Sequence, residues 1–226
     1  MSASWDDFTY FTNDNEFISH IRRGESEPYY GGQNSQLNIV KRYISTYPSR
    51  NRTILDIGAH IGTTMLPYSR IFKTVYGFEP NKESYDLCVK NISHNNVKNC
   101  YVENCAILNK KTFGIPIQHH TCNTGCFYFK EDTSNINSVP SKILDEDERL
   151  VDVDFIKIDT EGAEYYVILG AIDIIKKYKP LICAEINGLS ERNFGIPKMI
   201  LIELLKSLGY DNLSGTDFFM HNEYKF

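Results

Sequence analysis

From Thr53 onward the apolar residues fall in short runs that alternate with stretches of helical spacing. Residues 53–57 read as a strand, 58–62 as a turn and 63–71 as a helix. Residues 74–78 read as a strand, 82–93 as a helix and 100–103 as a strand. After an interruption the rhythm resumes with a strand at 154–158, a helix at 163–177, a strand at 181–186 and a helix at 197–208. The tail, 209–226, has room for two last strands. Short apolar strands alternating with helices predict an α/β fold: a mostly parallel, seven-stranded sheet with helices on both faces.

Ahead of this core, residues 5–21 carry a helical signal, and 22–33, with Pro28, Gly31 and Gly32, read as a loop. Ser35 is placed to cap a second helix, on which Leu37, Val40, Ile44 and Tyr47 recur at helical spacing until Pro48 ends it. The expected organisation is a helical extension over 1–50 packed on a domain spanning 51–226. Within that domain, residues 105–150 break the rhythm with Gly114, Pro116, Gly125 and Pro140. They predict short antiparallel strands and loops beside the mouth of the sheet, where substrate loops are commonly built.

Composition narrows the function. The chain has 226 residues, 42% hydrophobic, with a formal net charge of −5 and interspersed acids and bases. A nucleic-acid binder needs a basic face, and none is present. Lys176, Lys177 and Lys179 fit the last turn of a helix, where cations complement the helix dipole. No apolar run approaches bilayer length, and residues 1–7 are polar and acidic, without the apolar core of a secretory signal. Six cysteines (88, 100, 105, 122, 126 and 183) are scattered through strands and helices, which suits reduced thiols in a cytoplasmic protein with no membrane insertion.

Three motifs sit where a parallel sheet of this type binds ligands, outside the C-terminal ends of its strands. The first is Asp56-Ile57-Gly58-Ala59-His60-Ile61-Gly62. Gly58 allows the tight turn, and Gly62 lets the following helix pack close to the strand. A dinucleotide turn needs a glycine where His60 stands, so that backbone can reach a pyrophosphate. His60 therefore suits a ligand without one, such as S-adenosylmethionine (SAM), with its methionine part along the turn from Ala59 and its amino group near Asp56. The second motif is Gly77-Phe78-Glu79-Pro80-Asn81, with Glu79 21 residues after Gly58. An acid at about that distance accepts hydrogen bonds from ribose hydroxyls, although Pro80 also fits an ordinary helix start. The third, around Asn104 and Ala106, follows the third strand, where an adenine edge would lie. A turn asparagine is the competing reading of Asn104.

These residues carry a resemblance. The stretches ILDIGAHIGTTML (54–66), VYGFEPN (75–81), DFIKIDTEGAEYYVILGA (154–171) and KPLICAEI (179–186) resemble the FkbM family of SAM-dependent methyltransferases. The resemblance covers roughly residues 50–210. It implies a Rossmann-like class I methyltransferase fold, a SAM turn at the first motif and a ribose ligand at Glu79. It also implies O-methylation of sugars, polyketides or other small molecules, with the acceptor unspecified. His60 stands where the family often has Asn. Asn123, in Asn123-Thr124-Gly125, looks like the family's loop near the substrate mouth.

Transfer to a hydroxyl calls for a base or a metal, because an alcohol is a poor nucleophile at neutral pH. Asp159 and Glu185 each follow one of two strands expected to be neighbours, about 5 Å apart. Either is a candidate base. With Asn187 they are also a candidate site for a divalent cation such as Mg²⁺. Glu161 is expected at the substrate mouth, and Glu164 at a helix N-terminus, where acids are stabilising. His119 and His120 are further candidates for base or substrate contact, and with Cys122 and Cys126 they form a compressed zinc-like run. Tyr30 and Gln36 precede the first strand, from where a segment can fold over the methionine end of the cofactor.

The leading expectation is an O-methyltransferase acting on a sugar or glycosylated small molecule. Two rivals remain: a nicotinamide-dependent oxidoreductase, disfavoured by His60, and a non-catalytic Rossmann-like binding module.

Overall fold

The computed structural model describes residues 2–5, 7–13, 36–118 and 127–226. At its centre is a seven-stranded sheet. Its first three strands are β3 (Thr53–Ile57), β4 (Thr74–Phe78) and β5 (Cys100–Glu103). The others are β10 (Val153–Ile158), β11 (Leu181–Ala184), β12 (Tyr210–Asn212) and β13 (Phe218–His221). The order is β12-β13-β11-β10-β3-β4-β5. The five strands from β11 to β5 pair in parallel, and β13 and β12 close one side antiparallel. This is the expected Rossmann-like arrangement, and the tail supplies both of its last strands.

Each face of the sheet carries its own core. Leu55, Ile57, Ile156, Ile158 and Ile182 pack on one side with Val167 and Ile168 of α4 (Glu164–Leu169) and Leu201 and Leu205 of α7 (Lys198–Ser207). Ile54, Val75, Phe155 and Cys183 pack on the other with Val40 and Tyr43 of α1 (Gln36–Thr46) and Cys88 of α3 (Lys82–His94). Alternate residues of each strand therefore serve opposite cores, which is why the strands read as continuous apolar runs. At the N-terminal end of β10, the fully buried Asp154 accepts from Arg50 Nη1 at 3.0 Å and from the backbone N–H of Arg52 at 2.8 Å. The described cysteines, 88, 100, 105 and 183, are buried free thiols. No described helix is long and apolar enough to cross a membrane.

Several elements depart from expectation. The helical signal at 5–21 is not a helix where it is described. Ser2–Trp5 (β1) and Phe8–Phe11 (β2) form an antiparallel hairpin. Phe8 and Tyr10 alternate inward, a strand period. The outer edge of β2 is satisfied by side chains of α3 and its C-cap: Asn91 Oδ1 accepts from Phe11 N at 2.6 Å, and Asn95 Oδ1 from Thr9 N at 2.9 Å. The amide nitrogens of both residues donate back to the carbonyls of Phe11 and Thr9. The helix expected at 63–71 shrinks to α2 (Met65–Tyr68).

The helix expected at 163–177 is two helices, α4 and α5 (Ile172–Tyr178). The second starts afresh because Asp145, 28 residues upstream, accepts from the N–H groups of Asp173 and Ile174 at 3.0 and 2.9 Å. A short helix, α6 (Leu189–Phe194), lies where none was expected. The middle segment builds a four-stranded sheet from β6 (Ala106–Ile107), β7 (Phe113–Gln118), β8 (Phe127–Glu131) and β9 (Val139–Lys142), in the order β6-β9-β7-β8.

Candidate active site

The backbone ladder continues one residue past each strand and so sets the chemistry-bearing positions. Glu185 N donates to Ile158 O (3.1 Å), Asp159 N to Ile57 O (2.9 Å), Gly58 N to Phe78 O (2.9 Å) and Glu79 N to Glu103 O (3.0 Å). Three carboxylates and a glycine turn are thereby held side by side at the C-terminal edge of the sheet. They open onto a cavity of about 540 Å³, within the range of cofactor and substrate sites.

The glycine turn is built for close approach. Gly58 has φ +86°, and a Cβ there would lie 1.8 Å from the carbonyl oxygen of Asp159. No side chain fits. Gly62, with φ +87°, approaches Cys88 Sγ of α3 rather than the strand, a different contact from the one expected. His60 takes a left-handed φ of 50° and lines the cavity.

That conformation is held by Glu79. Its Oε2 accepts from His60 N and its Oε1 from Asn81 N, both at 2.8 Å. Only 6% exposed, Glu79 still lines the cavity. Burial pushes its carboxyl up to about 7, against the pull of the two N–H donors. Pro80 and Ala106 are also on the wall. Asn104 is not on the wall: its amide nitrogen donates to the carbonyls of Glu79 and Pro80 at 2.9 and 3.1 Å, bracing the turn. Gln36, at the start of α1, lines the cavity with a buried amide oxygen that has no hydrogen-bond partner.

The acidic cluster is organised by a residue that sequence reasoning missed. Lys157 lies in register opposite Asp56 on β3 and Cys183 on β11. Its buried ammonium is 3.4 Å from Asp56 Oδ1, 3.3 Å from Asp159 Oδ2 and 3.3 Å from Gly58 O. Asp56 is fully buried beneath the turn and is not on the cavity wall, so its carboxyl faces Lys157. Burial pushes Asp56 up to about 6, and Lys157 opposes the shift. Asp159 is held below the usual carboxylate range. Its burial acts upward but is outweighed by Lys157 and by a hydrogen bond from Glu185. Glu185 is pushed up to about 8 by partial burial and by the adjacent Asp159 carboxylate. The two acids have been driven apart, one ionised and one protonated, with Glu185 donating to Asp159.

Asn187 supports Glu185 with a side-chain hydrogen bond, while its Oδ1 accepts from Leu189 N at 2.8 Å at the start of α6. Glu161, at φ 55°, lines the cavity, and its carbonyl accepts from Asn193 Nδ2 of α6 at 2.8 Å. Glu164 is buried, and its Oε1 accepts from Thr160 N, Thr160 Oγ1 and Gly162 N. It pins the turn, as its place in the first turn of a helix suggested. Arg192 of α6 and Thr63 also reach the wall and were not anticipated. A lysine inside an otherwise apolar central strand was the available signal for Lys157. Arg192 carried none. Tyr30, His119, His120, Cys122, Asn123 and Cys126 lie outside the described residues.

Residues 56–211 match the model of the methyltransferase FkbM domain. The chain belongs to the FkbM methyltransferase family. No curated protein matches it. Among solved structures it is similar to methyltransferase FkbM from Methylobacillus flagellatus, at 16% identity and a TM-score of 0.49, over 76% of this chain and 44% of that one. This chain thus spans less than half the length of that relative. It is also similar to a putative caffeoyl-CoA O-methyltransferase from Staphylococcus aureus, at 14% identity and a TM-score of 0.49, over 91% and 90% of the two chains. A third is precorrin-8w decarboxylase from Methanobacterium thermoautotrophicum, at 15% identity and a TM-score of 0.46, over 81% and 77%. These likenesses are too distant to speak to chemistry.

Membership of the FkbM family implies SAM as the cofactor, and residues of the cavity fit it. Gly58 brings bare backbone to the wall, Glu79 keeps a free lone pair on each oxygen, and Gln36 offers an unpaired amide oxygen. The cation expected on Asp159, Glu185 and Asn187 finds no support. No group of three His, Cys, Asp or Glu side chains among the described residues is arranged to hold a metal. The Lys157 ammonium already supplies positive charge to Asp159, and the Asn187 oxygen is committed to Leu189.

Proposed function

We propose that this FkbM methyltransferase transfers the methyl group of SAM to a hydroxyl of a sugar or glycosylated small molecule. The observation that carries this reading is the Asp159–Glu185 pair: one carboxylate held ionised and one held near neutrality, side by side on the cavity wall. Hydroxyl acceptors need such a group, because the proton must leave as the oxygen attacks. SAM, when bound, supplies an already activated methyl group. The chain's own residues do the rest. Glu79 accepts the ribose hydroxyls, and the Gly58 turn with Gln36 receives the methionine end. Asp159 orients the acceptor and keeps Glu185 poised, and ionised Glu185 takes the acceptor proton. Glu161 and Arg192 line the acceptor side. Residues of the middle segment, including His119, His120 and Asn123, are proposed to complete that side.

The test is release of S-adenosylhomocysteine from SAM when the protein meets a panel of hydroxylated acceptors, compared with the matching deoxy compounds. Release that depends on one hydroxyl supports the reading. SAM binding without release across the panel favours a non-catalytic module.

A further inference from the structure

A second cavity, of about 400 Å³, opens beside the first, between β8 and helices α4 and α6. Leu108 and Phe129 belong to the walls of both cavities, so the two adjoin along the small sheet. The floor of the second is aromatic. Tyr128 and Tyr166 each meet the ring of Phe194 edge to face, with centroids 6.2 and 5.8 Å apart. All three rings are half-buried, although the neighbouring Phe129 is fully buried. The rim is polar: Asn109, Lys130 and the ion pair of Lys110 with Glu131.

An aromatic floor inside a ring of amide, ammonium and carboxylate groups has a definite chemistry. The rings offer flat, half-hydrated apolar area at low entropic cost, and the rim offers donors and acceptors for a ligand dense in hydroxyls. A purely apolar guest would leave the rim groups desolvated. A neutral pyranose satisfies both halves, its C–H face on the rings and its hydroxyls at the rim.

We propose that this annex holds the second ring of a saccharide acceptor whose first ring lies in the main cavity. The proposal rests on the O-methyl reading for what occupies the main cavity. It adds that the acceptor is at least a disaccharide, or a monosaccharide glycosylated onto another ring.

Ligand-observed saturation-transfer NMR tests it, using the protein with S-adenosylhomocysteine and a panel of neutral methyl glycosides, each as monosaccharide and as disaccharide. At least one disaccharide is expected to bind about fivefold tighter than its monosaccharide, the scale of one aromatic contact, with saturation reaching both rings. Tyr128→Ala and, separately, Phe194→Leu are expected to abolish that advantage while leaving monosaccharide and S-adenosylhomocysteine affinities unchanged. Unchanged S-adenosylhomocysteine binding also certifies that each variant is folded. No disaccharide advantage, or one that survives both variants, overturns the proposal. So does a preference for a planar phenol over every saccharide. Failure of S-adenosylhomocysteine to bind the unmodified protein would instead break the methyltransferase reading, and a ring-dependent disaccharide gain would still stand.

Discussion

Lys157 Nζ, on β10, lies 3.3 Å from Oδ2 of Asp159, the residue that follows the strand. The same ammonium is 3.4 Å from the buried Asp56. One buried cation thus supports two carboxylates, one beneath the cofactor turn and one on the cavity wall. Lys157→Met keeps the stem and deletes the charge. It should destabilise the fold by about 3–5 kcal/mol, the usual result of orphaning a buried partner. Calorimetric melting should drop by roughly 10 °C. Adding Asp56→Asn should recover a good part of the loss, because the orphaned charge is then gone.

The sign with pH follows from Asp56. Its folded pKa, pushed up by burial to about 6, lies above its ordinary 3.8. Its contribution to stability is therefore fully present below about 4 and lost as pH rises through about 6. Without Lys157 the folded value rises further. The gap in melting temperature between Lys157→Met and the unmodified protein should accordingly be wider at pH 8 than at pH 5.

Turnover should carry the signature of Glu185. With its carboxyl pushed up to about 8, kcat/KM should climb as pH rises toward 8 and flatten above it, because only the ionised form accepts the acceptor proton. Glu185→Gln should lower kcat by about 10²–10⁴. Asp159→Asn removes the neighbouring negative charge that holds Glu185 up, so the inflection should move to lower pH. An inflection that stays at 8 in Asp159→Asn would separate the two acids.

The hairpin of β1 and β2 depends on two asparagines, Asn91 of α3 and Asn95 at its C-cap. Asn91→Ala removes the acceptor for Phe11 N and the donors to Phe11 O and Ile61 O. Hydrogen exchange at Phe11 should accelerate by about tenfold or more, as expected when a donor away from bulk water loses its partner. Exchange in β3 and β10 should be unchanged.

Much of this architecture was legible in the sequence. Glu79, Asp159 and Glu185 each end or follow an apolar run and Asp56 stands one residue before the end of another, and in a parallel sheet those places fall toward one edge. The resemblance to FkbM methyltransferases rested on the same positions. What stayed hidden depends on partners far along the chain. The edge for β2 is made by Asn91 and Asn95, some 80 residues away, so residues 5–21 carry a helical signal in the sequence with nothing local to oppose it. The break between α4 and α5 is capped by Asp145, which local spacing does not reveal. Lys157 hid for a different reason: a lone lysine in a strand suggests an exposed edge, whereas here two carboxylates and a carbonyl oxygen stabilise its burial. Asn104 looked available for adenine, but its amide nitrogen is committed to the backbone of the Glu79 turn.

The most direct test of the cofactor site is calorimetric titration of the purified protein, and of Glu79→Gln, with S-adenosylhomocysteine and separately with NADH. Glu79 holds the His60 turn and faces the cavity with both oxygens already accepting one hydrogen bond each. The unmodified protein should bind S-adenosylhomocysteine at micromolar affinity and NADH not at all. Glu79→Gln should weaken S-adenosylhomocysteine by about tenfold or more, the scale of a charge-assisted hydrogen bond. Binding of NADH in place of S-adenosylhomocysteine, or full affinity in Glu79→Gln, would contradict the account.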